Sequence, residues 1–118
     1  MSYNYETIPL LLGQTFKKIE NCDERLISFK NNTKEIHMYH SQNCCESVTV
    51  EDITGDLEDL VGSPILRAEE RNEDGKSSYG LALYTFYELA TIKGSVTIRW
   101  LGESNGYYGV SVSVRDVS

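Results

Sequence analysis

The feature that most constrains the fold is a strict two-residue alternation of side chains near the carboxyl end of the chain. The alternating sets are Val96, Ile98 and Trp100 on one side and Thr97, Arg99 and Leu101 on the other. This period is typical of a strand with one buried face, because successive side chains of a strand point to opposite sides of its sheet. Residues 108–115 alternate in the same way, and Asn105-Gly106 between the two patterns is a strong turn signal. We therefore predict that the two strands pair as a hairpin.

Similar alternation recurs along most of the chain. Strand patterns cover residues 10–19, 25–30, 35–40, 46–53 and 79–91. The charged run 69–76 and the Asn31-Asn32 pair are expected to be exposed turns between strands. With 118 residues the chain is long enough for one core and too short for two domains. We predict an α+β fold that is mostly β, with about six to eight strands in antiparallel sheets, as a single domain over residues 1–118.

One short helix is predicted near residues 56–62. Asp56 suits the N-cap, Asp59 three positions later suits a capping box, and Gly62 with Pro64 ends the segment. The acidic residues around this helix suit the positive end of its dipole and lack the alternating carboxylates of a calcium loop. We therefore interpret them as capping and solvated residues rather than as a cation site.

The segment from Tyr79 to Thr91 is largely apolar on both faces if it is extended. A strand of this kind lies in the centre of a sheet or at a subunit interface, and aromatic residues such as Tyr84, Phe86 and Tyr87 are enriched in interface cores. We therefore expect a homo-oligomer, a dimer or higher. A helix over residues 82–90 remains an alternative.

The formal charge of −7 argues against direct binding of nucleic acid, which needs basic residues to displace counterions from phosphates. An acidic surface fits a basic groove on another protein, and it also keeps a small domain soluble. No apolar run approaches the roughly 20 residues that span a bilayer, and the start of the chain lacks the basic residues of a signal peptide. We expect a soluble cytoplasmic protein with no membrane contact.

A few residues have the chemistry of a metal or catalytic site. His37, His40, Cys44 and Cys45 are weak zinc-ligand candidates because the side chains of His37 and His40 should lie on opposite faces of a strand and neighbouring cysteines also diverge. The odd cysteine count fits free thiols in a reducing compartment. We predict no metal and no cofactor. The chain has no nucleophile elbow, phosphate loop or dinucleotide motif, and nothing orients His40 towards Cys44, so we predict that it is not an enzyme.

Three segments resemble a family of short phage and prophage proteins. They are the Cys-Cys-Glu-x-Val and Glu-Asp-Ile-x-Gly-Asp-Leu run at residues 44–60, the aromatic run at 84–94, and Gly-Glu-Ser-Asn-Gly-Tyr-Tyr at 102–108. The resemblance extends over most of the chain, from about Leu11 onward. That family has no assigned activity. The resemblance implies a phage origin and, through it, a host-directed role in the bacterial cytoplasm, such as inhibition of a defence system.

Two binding hypotheses follow. In the first, the protein sequesters a nucleotide-derived immune signal, with cations on phosphates and aromatic rings on a base. The predicted ligand-binding residues are Lys93, Arg99, Glu103, Ser104, Asn105, Tyr107 and Tyr108. In the second, the acidic surface and exposed tyrosines contact a host defence protein such as a nuclease. A zinc-stabilised interaction domain is a further alternative.

Overall fold

The computed structural model describes residues 8–41, 46–75, 81–104 and 110–117. This part of the chain forms eight strands and two short 3₁₀ helices, Ile8–Leu11 and Leu57–Leu60. The strands are β1 (Lys18–Asp23), β2 (Leu26–Lys30), β3 (Glu35–Tyr39), β4 (Ser47–Thr54), β5 (Arg67–Asp74), β6 (Leu81–Thr91), β7 (Gly94–Ser104) and β8 (Ser113–Asp116). None of the helices in these residues is long and apolar enough to cross a membrane.

The strands form two four-stranded sheets. The first has the order β1-β2-β3-β8 and the second has the order β4-β7-β6-β5. Every neighbouring pair is antiparallel. The structure therefore confirms the prediction of a mostly β fold with antiparallel sheets.

The two sheets share one hydrophobic core. It contains Ile27 and Phe29 from β2 together with Ile98 and Trp100 from β7, all with no exposed surface. Burial along β7 alternates strictly from Val96 onward, as the sequence pattern predicts. β6 and β7 are the two central strands of the second sheet. Residues 81–91 form a strand in the centre of the sheet, so the strand prediction is confirmed there and the helical alternative is wrong, whereas the outer face of β6 is only half-buried.

The predicted hairpin between residues 96–101 and 108–115 is wrong. Both edges of β7 are occupied by β4 and β6, and β8 pairs with β3 in the other sheet. The chain therefore crosses from one sheet to the other between Ser104 and Ser113. The Asn105-Gly106 pair lies outside the described residues. Alternation predicts that a segment is a strand, but it carries no information on which strand is its neighbour.

Three other boundaries differ from the predictions. The predicted strand at 10–19 is a 3₁₀ helix and an irregular segment, and β1 begins only at Lys18. The predicted helix is a single 3₁₀ turn, in which the Asp56 side chain accepts a hydrogen bond from the Glu58 amide at 3.0 Å. The charged run expected to be a turn is mostly β5. An edge strand with exposed side chains needs no apolar residues, so its composition resembled that of a turn.

Candidate binding surface on the outer face of the second sheet

The outer face of the second sheet carries an aromatic–arginine cluster, consisting of Arg71, Tyr84, Phe86 and Arg99. Phe86 of β6 is directly opposite Arg99 of β7 on one side and Arg71 of β5 on the other. These positions alternate with the buried inner-face residues, so their side chains point away from the core. Tyr84, Phe86 and Arg99 are half-buried and Arg71 is exposed.

The rings and guanidinium groups of this cluster contact one another. The ring centroids of Tyr84 and Phe86 are 6.3 Å apart. The Cζ atom of Arg71 lies 4.5 Å from the Phe86 centroid, and that of Arg99 lies 5.8 Å from the Tyr84 centroid. Cations over aromatic faces are attracted by the ring quadrupole. The result is a laterally packed patch in which aromatic and arginine side chains support each other.

Carboxylates surround the cluster and pair with its arginines. Arg71 lies 3.2 Å from Glu88 and 3.3 Å from Glu73. Arg99 Nε lies 2.7 Å from Glu51 Oε1, but its N–H does not point at that oxygen, so the contact is an ion pair rather than a directed hydrogen bond. Exposed pairs contribute little to stability, but they fix the orientation of both arginines.

Arg67 extends this network along β5. Its guanidinium lies 2.8 Å from Glu69 and 3.1 Å from Glu88. The hydrogen bond with Glu69 raises the pKa of Arg67 and lowers the pKa of the Glu69 carboxyl. Both groups therefore stay charged over the whole physiological range of pH.

The predicted ligand-binding residues are not gathered in one place, as far as the structure describes them. Arg99 and Glu103 lie on the outer face, whereas Ser104 is buried on the inner face. Lys93 lies in the turn between β6 and β7, roughly 20 Å along the strand from Arg99. Asn105, Tyr107 and Tyr108 lie outside the described residues.

Sequence reasoning missed one member of the cluster and under-used two others. Arg71 was assigned to a turn, and Tyr84 and Phe86 were considered only as oligomer-interface residues. The signal available in the sequence was the alternation of Arg67, Glu69, Arg71 and Glu73. A two-residue period of charged residues indicates an exposed strand, just as a two-residue period of apolar residues indicates a half-buried strand.

The histidines of the weak zinc hypothesis each have another partner. His37 Nε2 lies 2.7 Å from Glu35. His40 Nε2 lies 2.7 Å from the buried Glu46 carboxylate, and His40 Nδ1 lies 2.6 Å from the Ser111 carbonyl oxygen. Cys44 and Cys45 lie outside the described residues. The residues that the structure describes contain no group of three potential metal ligands.

We call His40, Glu46 and Ser111 the His40 clip, because they join the end of β3, the start of β4 and the segment before β8. A carbonyl oxygen only accepts, so Nδ1 carries a proton. The 2.7 Å contact between Nε2 and the Glu46 carboxylate ties the start of β4 to the end of β3.

A protein-family model matches most of this chain. It matches residues 9–114 and is described as a domain of unknown function, DUF7448. The chain belongs to the DUF7448 family. The DUF7448 match covers β1 to β7 and extends into β8. Searches of curated proteins and of solved structures find no match.

Proposed function

We propose that this protein is a binding protein that acts by direct contact with another protein through the outer face of its second sheet. The observation that carries the proposal is the aromatic–arginine cluster on a sheet face. Aromatic and arginine side chains are the ones most enriched at the energetic centres of protein interfaces. Tyr84 and Phe86 are already held in place by their neighbours, so little side-chain entropy is lost on binding.

The proposed partner is a protein with a basic surface. The carboxylates of Glu51, Glu73 and Glu88 form a rim around the cluster, and the whole chain carries a formal charge of −7. Opposite charge on the partner would speed the encounter and set its orientation. Since the sequence resembles phage and prophage proteins, a nucleic-acid-binding protein of a bacterial defence system, in the host cytoplasm, is the partner class that we propose.

A second candidate is sequestration of a nucleotide-like molecule. The supporting observation is the Arg99 guanidinium beside the half-buried Tyr84 ring, since a ring can stack on a base while a guanidinium binds a phosphate. The Glu51 carboxylate competes for the same guanidinium. We rank this candidate second because a phosphate would have to displace that ion pair.

A plating assay tests the first proposal. The protein is expressed in a panel of bacterial strains that each carry one defence system, and phage plating is measured. We expect the protein to restore plating in at least one strain, and Tyr84→Ser to abolish the effect. Tyr39→Ser is the matched control, because Tyr39 is a half-buried tyrosine on β3 of the other sheet. No restored plating, or equal effects of the two variants, would overturn the proposal.

Native mass spectrometry of the protein purified from the responding strain separates the two candidates. A retained nucleotide-like mass that is lost in Arg99→Ala supports sequestration. A ligand-free protein that binds the purified defence component supports protein contact. That binding should weaken as salt rises, because the rim charges are exposed and are screened within about 10 Å at 0.1 M ionic strength.

A further inference from the structure

β5 is the terminal strand of the second sheet in the part of the chain that the structure describes, and it also contacts the 3₁₀ helix Ile8–Leu11. No described strand pairs with its second edge, which we call the open edge. The Gly75 amide donates to the Ala82 carbonyl of β6. Because the direction of backbone groups alternates along an antiparallel strand, the odd-numbered residues of β5 face β6. The N–H and C=O groups of Ala68, Glu70 and Asn72 therefore face the open edge. Such an edge is a template for another strand.

The outer-face side chains of β5, which we call the outer row, have a charge order that is complementary to the same row running in the opposite direction. This row reads Arg67, Glu69, Arg71 and Glu73. If a second copy of β5 runs antiparallel with Glu70 opposite its own counterpart, Arg67 faces Glu73 of the second copy and Glu69 faces Arg71 of the second copy. Two-fold symmetry repeats both contacts, so every facing pair in the outer row has opposite charges. Opposite-charge pairs across strands stabilise a sheet and like pairs destabilise it.

Among the antiparallel registers that fit this edge, only this one pairs every charge of the outer row with an opposite charge. Shifts by one residue place inner-face side chains on the outer face. Registers displaced by two residues place Glu69 or Arg71 opposite the same residue of the second copy, so like charges meet in the outer row. Registers displaced by four residues pair only two of its four charges. The row therefore favours the register centred on Glu70.

We propose that a second copy of this chain docks along β5 in this register and joins the two second sheets into one continuous antiparallel sheet. Ala68, Glu70 and Asn72 would each form a hydrogen-bonded pair, giving roughly six backbone bonds. The two aromatic–arginine clusters would then lie on the same side of one extended sheet. Glu70 is the one position where like charges meet, on the inner face. The inference stands independently of the proposed function.

Two charge-reversal variants test the register. Glu69→Arg places an arginine opposite Arg71 of the second copy, and Arg71→Glu places a glutamate opposite Glu69 of the second copy. Each variant alone should dimerise on the order of tenfold more weakly or worse, since symmetry doubles each repulsive contact. In an equimolar mixture every facing pair of the heterodimer is again opposite in charge. We therefore expect dimers in the wild type and in the mixture, measured by sedimentation velocity and native mass spectrometry.

The controls separate this interface from other effects. Lys18→Glu reverses a charge on β1, the edge of the other sheet, and should leave dimerisation unchanged. Glu70→Gln removes the like-charge contact and should tighten the dimer. Circular dichroism verifies that every variant is folded. A monomeric wild type means that the charges only protect the edge and overturns the proposal, and so do variants that dimerise as tightly as the wild type or a mixture that stays monomeric.

Discussion

At the scale of single residues, Gly102 fixes how closely the segment before β8 approaches the second sheet. A Cβ atom at this position would lie 2.5 Å from the Val110 Cβ and 2.9 Å from the Val110 carbonyl oxygen. Gly102→Ala should therefore destabilise the protein by about 1–3 kcal/mol, as overpacking does. Gly94→Ala is the matched control in the same strand, because the nearest atom to its Cβ would be Asp59 Oδ2 at 2.9 Å, the far end of a side chain that can rotate away. Urea unfolding, followed by fluorescence of the single Trp100, measures both variants.

A double-mutant cycle assigns the cost of Gly102→Ala to its cause. Val110→Gly removes the Cβ, which is the nearest atom to the new methyl group, and leaves the carbonyl oxygen at 2.9 Å. The double variant should therefore lose less stability than the sum of the single losses. Additive losses would show that contact with the Val110 side chain is not the origin. This contact was not predictable from the sequence, because Val110 belongs to a segment that was assigned to a hairpin. The buried face of β7, by contrast, was predictable from the alternation of side chains around Trp100.

Tyr87 makes the free energy of unfolding depend on pH in the alkaline range. Its side chain is fully buried, and burial, followed by the negative charge of Glu70, raises the pKa of its hydroxyl above the ordinary value. Above about pH 10 the unfolded state releases this proton while the folded state retains it, so stability falls as pH rises. The expected slope is about 1.4 kcal/mol per pH unit. Tyr87→Phe should unfold with a slope that is shallower by this amount, and parallel slopes for the two proteins would contradict it.

At the scale of elements, the His40 clip joins the end of β3, the start of β4 and the segment before β8, and its chemistry predicts losses of different size for two substitutions. In Glu46→Gln the side-chain amide can still form a hydrogen bond with Nε2, so the cost should stay below about 1 kcal/mol. In Glu46→Ala the imidazole nitrogen loses this partner in a buried site, which should cost about 2–3 kcal/mol. Urea unfolding of both variants is the measurement. Equal losses would mean that the charge itself is required.

The strands themselves were more predictable than their pairing. β2, β3 and β4 lie where the alternation placed them, and their alternating apolar residues Ile27, Phe29, Ile36, Met38 and Val48 are buried. β5 was missed because its exposed charges carry no apolar period. β8 was assigned to the wrong sheet, since its neighbour β3 is about 75 residues earlier in the chain and nothing local encodes that contact. The candidate surface could not be predicted for the same reason. Arg71, Phe86 and Arg99 become neighbours only through the order of β5, β6 and β7 in the sheet.

At the scale of the whole molecule, the two sheets are expected to unfold as one unit. Their inner faces contribute to a single hydrophobic core, in which Phe29 of the first sheet and Trp100 of the second are both fully buried. The backbone joins them as well, since the Val50 amide of β4 donates to the Glu24 carbonyl between β1 and β2 at 2.6 Å. Opening either sheet alone would expose the shared core to water, which costs roughly 25 cal/mol per Å² of apolar surface.

Native-state hydrogen exchange measures this cooperativity. The slowest amides of β2 in the first sheet and of β7 in the second should exchange with the same opening free energy, equal to the global free energy of unfolding. Phe29→Ala should lower both values by the same amount, about 3–5 kcal/mol, although it lies in only one sheet. If the exchange of β7 amides were unaffected while that of β2 amides accelerated, the sheets would be separate cooperative units. The crossover between β7 and β8 would then be a linker between subdomains rather than part of one folded unit.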